Sequence, residues 1–301
     1  MIIIMLFHTI YFSNKMNKIA ILMATYNGGQ FIKEQIDSIF AQTNKDWNLY
    51  IRDDGSSDLT IEIINGYCQK YSNITLLKDS LGSLGCRDQF LHLMNVVDAD
   101  YYMFCDQDDM WVPDKIEKSL NLIKRVEAQN PGKAVLVGSD CYMCGPNLEV
   151  INPSCWDHLR INPREFLTKN GIYVYPFVTG ASMIFNRKAC KTIPPIPEGC
   201  PKNRPMYDWW LLIHVFKTGV VDLLEEPTRY YRQHTNNVSG GIDKLDTSYF
   251  SKIMQLGKVI QSNRTRASIL KKIGYGSIFK YYFFKIVYLT KMMKYNHKTQ
   301  K

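Results

Sequence analysis

From residue 18 onward the chain alternates short, β-rich apolar runs with longer stretches whose apolar residues recur every three or four positions. The first kind predicts strands at 19–23, 49–52, 74–77, 101–105 and 134–138; the second predicts helices at 31–40, 60–71, 89–97 and 116–128. Strands taking turns with helices predict an α/β fold, with a mostly parallel central sheet flanked by crossover helices. Such a sheet binds ligands at the carboxyl ends of its strands. Three of the predicted strands run there into polar, turn-forming segments: "ATYNGG", "RDDGSSD" and "CDQDD". Each alone reads equally well as an ordinary turn, with Ser57 or Asp58 capping the next helix. Three on one edge favour a binding site.

After residue 140 the alternation loosens. "NPSCWDHLRINPREF" and "PPIPEGCPKNRP" read as loops around the strand-like "FVTGASMIFN", and "MYDWWLLIHVFKTG" is an apolar helical pattern opened by Asp208. The regular part ends near Gly241. This divides the chain into an extension at 1–16, a body at 17–241 with halves at 17–140 and 141–241, and a tail at 242–301. The opening "MIIIMLFHTIYF" is shorter than the ~18–20 apolar residues a membrane span needs. It lacks the basic start and small-residue cleavage site of a signal peptide, and Met16 offers an alternative start.

Composition adds two constraints. At 301 residues and 46% hydrophobic, the chain suits a folded protein with a sizeable core. The net charge of +9 belongs to the end of the chain: residues 251–301 hold twelve Lys and Arg and no Asp or Glu, leaving 25 basic against 28 acidic residues before them. In the tail these charges accompany "IFKYYFFKIVYL", where Lys280 and Lys285 interrupt the apolar run. Aromatics with lysines favour the interface of an anionic membrane over nucleic acid, and a tail packed on the domain or a partner is the competing reading. The eight cysteines form no dense framework and read as reduced thiols in a cytosolic protein. Cys141-x-x-Cys144 has no second ligand pair and reads as ordinary thiols.

The candidate chemistry concentrates in "FCDQDDMWVPDK". Asp106, Asp108 and Asp109 put three carboxylates into four positions, and like charges so spaced raise one another's pKa unless a cation sits among them. Either the turn is open to water or a cation belongs there. Carboxylates are hard oxygen ligands suited to Mg²⁺ or Mn²⁺, ions often shared with substrate phosphates; the spaced loop of a calcium cage is missing. Asp208 reads as a helix N-cap as readily as a catalytic group. Trp209 and Trp210 suit packing or stacking on a sugar. His214 reads as a core residue, and Arg87 as a phosphate contact or a helix-surface group.

Taken together, "ILMATYNGGQFIKEQIDSIFAQT", "IRDDGSSDLT" and "FCDQDDMWVPDKI" resemble the nucleotide-sugar half of family 2 glycosyltransferases, inverting enzymes of the GT-A fold. "TGASMIFNR", "YDWWLLIHV" and "YRQHTNNVSG" resemble the acceptor half of bacterial rhamnosyltransferase-like members, and the match runs in order over about residues 17 to 240. The resemblance implies that Ala24, Thr25 and Tyr26 border the nucleotide base and that Asp54 accepts a hydrogen bond from it. It implies Asp108 at the ribose and the ion, Asp109 at the ion with Asp106 supporting, and His234 near the diphosphate or metal. Asp208 falls at the general base, preceded by Tyr207 where His or Glu is common. Thr179 and Gly180 fall near the donor sugar and acceptor, with Trp209 and Trp210 as further candidates there.

The expected activity is thus transfer of a sugar, such as rhamnose from dTDP-rhamnose, to a hydroxyl of a growing surface glycan or lipid-linked oligosaccharide. Expected with it are a Mg²⁺ or Mn²⁺ cofactor, no nucleic-acid partner, and a cytoplasmic enzyme on the inner face of the membrane. A processive synthase is disfavoured by the absence of a "QxxRW" motif and of spanning segments. A nucleotidyltransferase would want a glycine- and Arg/Lys-rich loop where this chain has "ATYNGG". A non-catalytic carbohydrate-binding scaffold would have little use for both the acidic cluster and Asp208.

Overall fold

The computed structural model describes residues 18–201, 204–234 and 249–295. The extension at 1–16 and the boundary at 241–242 lie outside them. Four strands, β1 (Ile19–Thr25), β2 (Trp47–Asp53), β3 (Ile74–Leu76) and β4 (Tyr101–Asp106), run parallel in the order β3-β2-β1-β4. Helices α1 (Ile32–Phe40), α2 (Thr60–Lys70) and α3 (Gly85–Val96) make the crossovers. The period of two assigns each side chain to a face. In β1, Ile19, Ile21 and Met23 enter one core layer while Ala20 and Leu22 enter the other. In β4, Met103 and Cys105 go with the first layer and Tyr102 and Phe104 with the second. With both faces covered, β1 and β4 are almost wholly apolar, as a central parallel strand must be.

Beyond β4 the sheet becomes mixed. The edge strand β5 (Met110–Trp111) and helix α4 (Lys115–Gln129) lead to β6 (Val135–Cys144) and the short β7 (Val150–Asn152). Short helices α5 (Cys155–His158), α6 (Pro163–Phe166) and α7 (Lys169–Val174) follow, then β8 (Met183–Asn186), α8 (Arg187–Thr192), α9 (Tyr207–Thr218) and β9 (Val220–Arg232). Strand β8 lies antiparallel between β4 and β6, and β9 pairs parallel with β6 and antiparallel with β5. The sequence pattern did not read 220–232 as a strand. Its register shifts twice against β6, and Pro227, which has no N–H to give, sits where those shifts occur.

The last helices, α10 (Tyr249–Lys272) and α11 (Ile278–Met293), share the larger core layer: Leu270, Tyr275, Tyr281 and Tyr288 are buried within it. The Tyr288 ring stands edge-on to Phe166 at 4.7 Å, and the Tyr281 hydroxyl donates to Asn263 at 3.0 Å. Among the described residues no helix is long and apolar enough to cross a membrane. Ending the chain at Ser277 should therefore cost folding stability by about 3 kcal/mol or more, the scale of uncovering two large side chains. Urea denaturation checks this; an unchanged midpoint would mean that α11 is only loosely attached.

Candidate active site

A cavity of about 800 Å³ opens at the carboxyl ends of β1 and β4. Ala24, Thr25 and Tyr26 line it where β1 ends. Thr25 is buried and its hydroxyl donates to Asp53 Oδ1 at 2.7 Å, while Tyr26 is 56% exposed. Gln107 holds the peptide groups of Tyr26 from across the sheet, accepting from its N–H at 3.0 Å and donating to its carbonyl at 2.9 Å. Gly28 makes that possible: a Cβ there would lie 2.2 Å from Gln107 Oε1. A second depression, lined by Tyr101 and Arg187 at the opposite end of β4, has Arg187 paired with Asp98 and Asp100.

Asp54 also lines the cavity. Its oxygens accept from Arg52 Nη1 at 2.9 Å, Leu84 N at 2.7 Å, Gly85 N at 2.8 Å and Ser83 Oγ at 2.8 Å. Burial opposes its ionisation, but these bonds outweigh burial and hold the carboxyl below the usual range. Asp54 thus fastens the turn before α3 to the end of β2.

The three carboxylates after β4 have separate surroundings. Asp106 lines the cavity and, among the described residues, takes no hydrogen bond on its side chain. Burial raises its pKa, the charges of Asp109 and Asp108 raise it further, and Arg229 offsets part of this. Asp108 faces the same cavity, its Oδ2 lying 2.9 Å from His234 Nε2, and the His234 ring lies 4.7 Å from Phe31. Asp109 turns the opposite way, into the protein. It is fully buried, ion-paired with Arg229, and accepts from the Arg232 backbone N–H at 3.3 Å. The expected metal role of Asp109 is therefore corrected: strand β5 begins at the next residue and fixes this side chain under the sheet, away from the cavity.

Arg229 is itself 1% exposed and lines the cavity floor. It donates to Thr179 Oγ1 at 2.8 Å and Ser182 Oγ at 3.2 Å, so one guanidinium joins the acidic loop to the 179–182 turn. Burial works against its charge, but Asp109 beside it and Asp106 nearby hold its pKa above the usual value. Lys115, also fully buried, donates to Ala181 O at 2.9 Å and Thr228 Oγ1 at 3.0 Å beneath the same turn.

Asp208 lies in the first turn of α9 and lines the same cavity as Asp106 and Asp108. Met206, rather than Asp208, is the N-cap. The Asp208 carboxylate accepts from Gly180 N at 3.0 Å and Trp209 N at 2.7 Å. Burial raises its pKa, and those two N–H groups offset only part of the rise. Gly180 is required by close approach, since a Cβ would lie 2.4 Å from Tyr207 Oη. Tyr207 in turn stacks on Phe90 at 4.1 Å. Thr179 and Gly180 both line the cavity, but Trp209 and Trp210 do not. This corrects the expectation that the two indoles meet the substrate. Each is 4% exposed, and their N–H groups donate to Ile172 O at 3.0 Å and Pro194 O at 2.8 Å, inside the core.

The wall formed by Asp106, Asp108 and His234 suits a divalent ion by its donors: an unpartnered carboxylate, a second carboxylate and an imidazole at one cavity surface. Among the described residues no three Asp, Glu, His or Cys side chains converge into a cage, so an ion here would complete its shell with water or substrate oxygens.

The model of the family described as "Glycosyl transferase family 2" matches residues 20–193, more than half of the chain. The chain belongs to that family. The glycosyltransferase is similar to the dTDP-rhamnosyl transferase RfbG of Shigella flexneri, 27% identical over 245 residues that cover 79% of this chain and 78% of that protein. Its structure resembles S. aureus TarS solved with UDP-GlcNAc, with a TM-score of 0.57 at 16% identity over 94% of this chain and 74% of that one. It also resembles the mannosyltransferase PcManGT of Pyrobaculum calidifontis solved with GDP-Man and Mn²⁺, with a TM-score of 0.54 at 14% identity over 95% and 88% of the two chains. The glycosyltransferase has the GT-A fold of these structures.

Arg229, Tyr231, Gln107 and Gln89 line the cavity but escaped the sequence reading. Arg229 and Tyr231 alternate along β9 and would follow from its period of two, had the strand been recognised. Gln107 carries no such signal. Gln89 lies on the predicted helix; it is 3% exposed, lines the cavity, and its carboxamide oxygen has no hydrogen-bond partner. Replacing Arg229 by Met should cost about 3–5 kcal/mol in urea denaturation, because it strands the buried Asp109 charge. Adding Asp109→Leu should restore most of that loss. A single-variant cost below about 1 kcal/mol would mean that water reaches the pair.

Proposed function

We propose that this glycosyltransferase moves a sugar from a nucleoside diphosphate to an acceptor hydroxyl, with inversion at the anomeric carbon. The observation that carries the reading is one cavity lined both by Asp106, Asp108 and His234 and by Asp208. Ala24, Thr25 and Tyr26 would border the base, and Asp54 would hold the turn beside it. Asp108 and His234 would bind Mg²⁺ or Mn²⁺, with Asp106 next to them at the ribose or the ion. A bound divalent cation supplies positive charge where the leaving diphosphate gains negative charge. The RfbG likeness favours rhamnose on thymidine diphosphate as donor, and the acceptor is a hydroxyl of a surface glycan or its lipid-linked precursor.

Asp208 would take the acceptor proton as the acceptor oxygen attacks the sugar from the face opposite the leaving group. Its raised pKa improves it as a base, and the Gly180 and Trp209 N–H groups keep its carboxylate aimed. Gln89, with an unpartnered carboxamide oxygen at the cavity wall, is placed to meet a sugar hydroxyl.

Asp208→Asn should lower kcat by about 10²-fold or more, the range of general-base catalysis, with donor affinity nearly unchanged. An equal loss of donor binding would reassign the residue to structure. Since the base must be ionised and its pKa lies above the ordinary Asp range, wild-type kcat should fall as pH drops through that raised value. The Asn variant should lose this acid limb. Thermal stabilisation by a panel of nucleotide sugars, with and without Mn²⁺, identifies the donor, because a ligand bound only by the folded state raises Tm. His234→Ala should abolish the Mn²⁺-dependent part of the shift; stabilisation unaffected by Mn²⁺ in the wild type would remove the metal from the reading.

A further inference from the structure

Helix α11 is amphipathic in an unusual sense: both of its faces are apolar. Tyr281 and Tyr288 face the core, with Phe284 and Met292 packed against it. On the opposite side Phe279 is 82% exposed, Phe283 and Ile286 61%, Leu289 47% and Met293 71%. Their spacing of four, three, three and four residues places them in a single stripe spanning an arc of about 120°. A folded protein rarely leaves five large apolar side chains in one exposed row without a partner for them.

The surrounding charge identifies the partner. Lys280, Lys291 and Lys294 fall along one edge of the stripe by the helical period, Lys280 donating to Tyr275 O at 2.9 Å and Lys291 lying 3.5 Å from Glu165, and residues 249–295 hold no Asp or Glu at all. On the other edge Lys285 lies 3.6 Å from the centre of the Tyr175 ring, its charged end held against the body. An apolar row bordered by lysines matches the boundary between anionic headgroups and acyl chains. A second copy of the same helix, which has no Asp or Glu of its own, would bring lysine edges together. Because α11 is too short and too interrupted to span, the contact is shallow.

We infer that the exposed face of α11 is a docking surface for an anionic lipid bilayer, with Phe279, Phe283, Ile286, Leu289 and Met293 entering the interface and the lysines meeting headgroups. The helix is not a loose tether. It packs on the body through Tyr281 and Tyr288, and α10 next to it lays Arg266 over the Trp209 ring at 5.2 Å, one residue from Asp208. Docking through this face therefore fixes the orientation of the cavity relative to the lipid surface, which suits an acceptor carried on a lipid.

Co-sedimentation of the full chain with phosphatidylcholine vesicles, with and without phosphatidylglycerol, tests the inference. Binding should require the anionic lipid and weaken with salt. The variant Phe279→Ser/Phe283→Ser/Ile286→Ser should bind about tenfold or more weakly, since each buried apolar side chain contributes a severalfold factor. Its thermal stabilisation by nucleotide sugar should equal that of the wild type, which separates this inference from the donor-site reading. Lys294→Glu should reduce binding to anionic vesicles as well, from an exposed position on the edge of the stripe. Equal binding to neutral vesicles, or triple-variant binding equal to the wild type, would overturn the proposal. So would a wild-type dimer in sedimentation velocity that the triple variant dissolves while vesicle binding stays unchanged.

Discussion

Like charge has to be kept apart at the end of β4, and the buried Arg229–Asp109 pair is how this protein does it. Three carboxylates within four residues would repel one another in any compact structure. Here one is turned inward onto an almost wholly buried guanidinium, which leaves the other two to face the cavity. The same guanidinium reaches Thr179 and Ser182, so the neutralising group also positions the turn that gives a backbone N–H to Asp208. The acidic loop and the turn that contacts Asp208 are therefore joined through a single buried cation.

This arrangement divides stability from chemistry among residues that look alike in the sequence. Asp106 and Asp108 face space and gain little from the fold, while Asp109 and Asp54 are saturated with partners. A buried ion pair contributes little net stability by itself, because its attraction mostly repays desolvation. What the pair does in this fold is join elements: Arg229 binds Asp109, Thr179 and Ser182 at once.

Much of the frame was legible in the sequence. The first four strands and their helices follow from hydrophobic periodicity because β1 and β4 are covered on both faces and leave no polar interruption. The strand-end rule pointed to Asp54, Asp106 and Asp108, and all three line the cavity. Asp109 was misread because adjacent residues in an extended turn face opposite ways, and composition carries no information about which one faces in. Trp209 and Trp210 were misread for a related reason: aromatic rings that suit a sugar suit a core equally well, and only the 100° step per residue of α9 separates them from Asp208. Strand β9 was missed because its pairing with β6 is broken by bulges and by Pro227, which blurs the alternation. The basic tail was read by charge, but its tyrosines, which bind it to the body, show no pattern distinguishable from those left outside.

The double grip of Gln107 on Tyr26 couples two loops that come from different strands. Neither can shift without breaking these bonds, so the cavity rim at the end of β1 is tied to the rim at the end of β4. Evolution of a new donor preference in such a scaffold has little scope for reshaping that rim by loop motion. It must proceed instead by exchanging other lining side chains, such as Gln89 and Met206, which take no part in that tie.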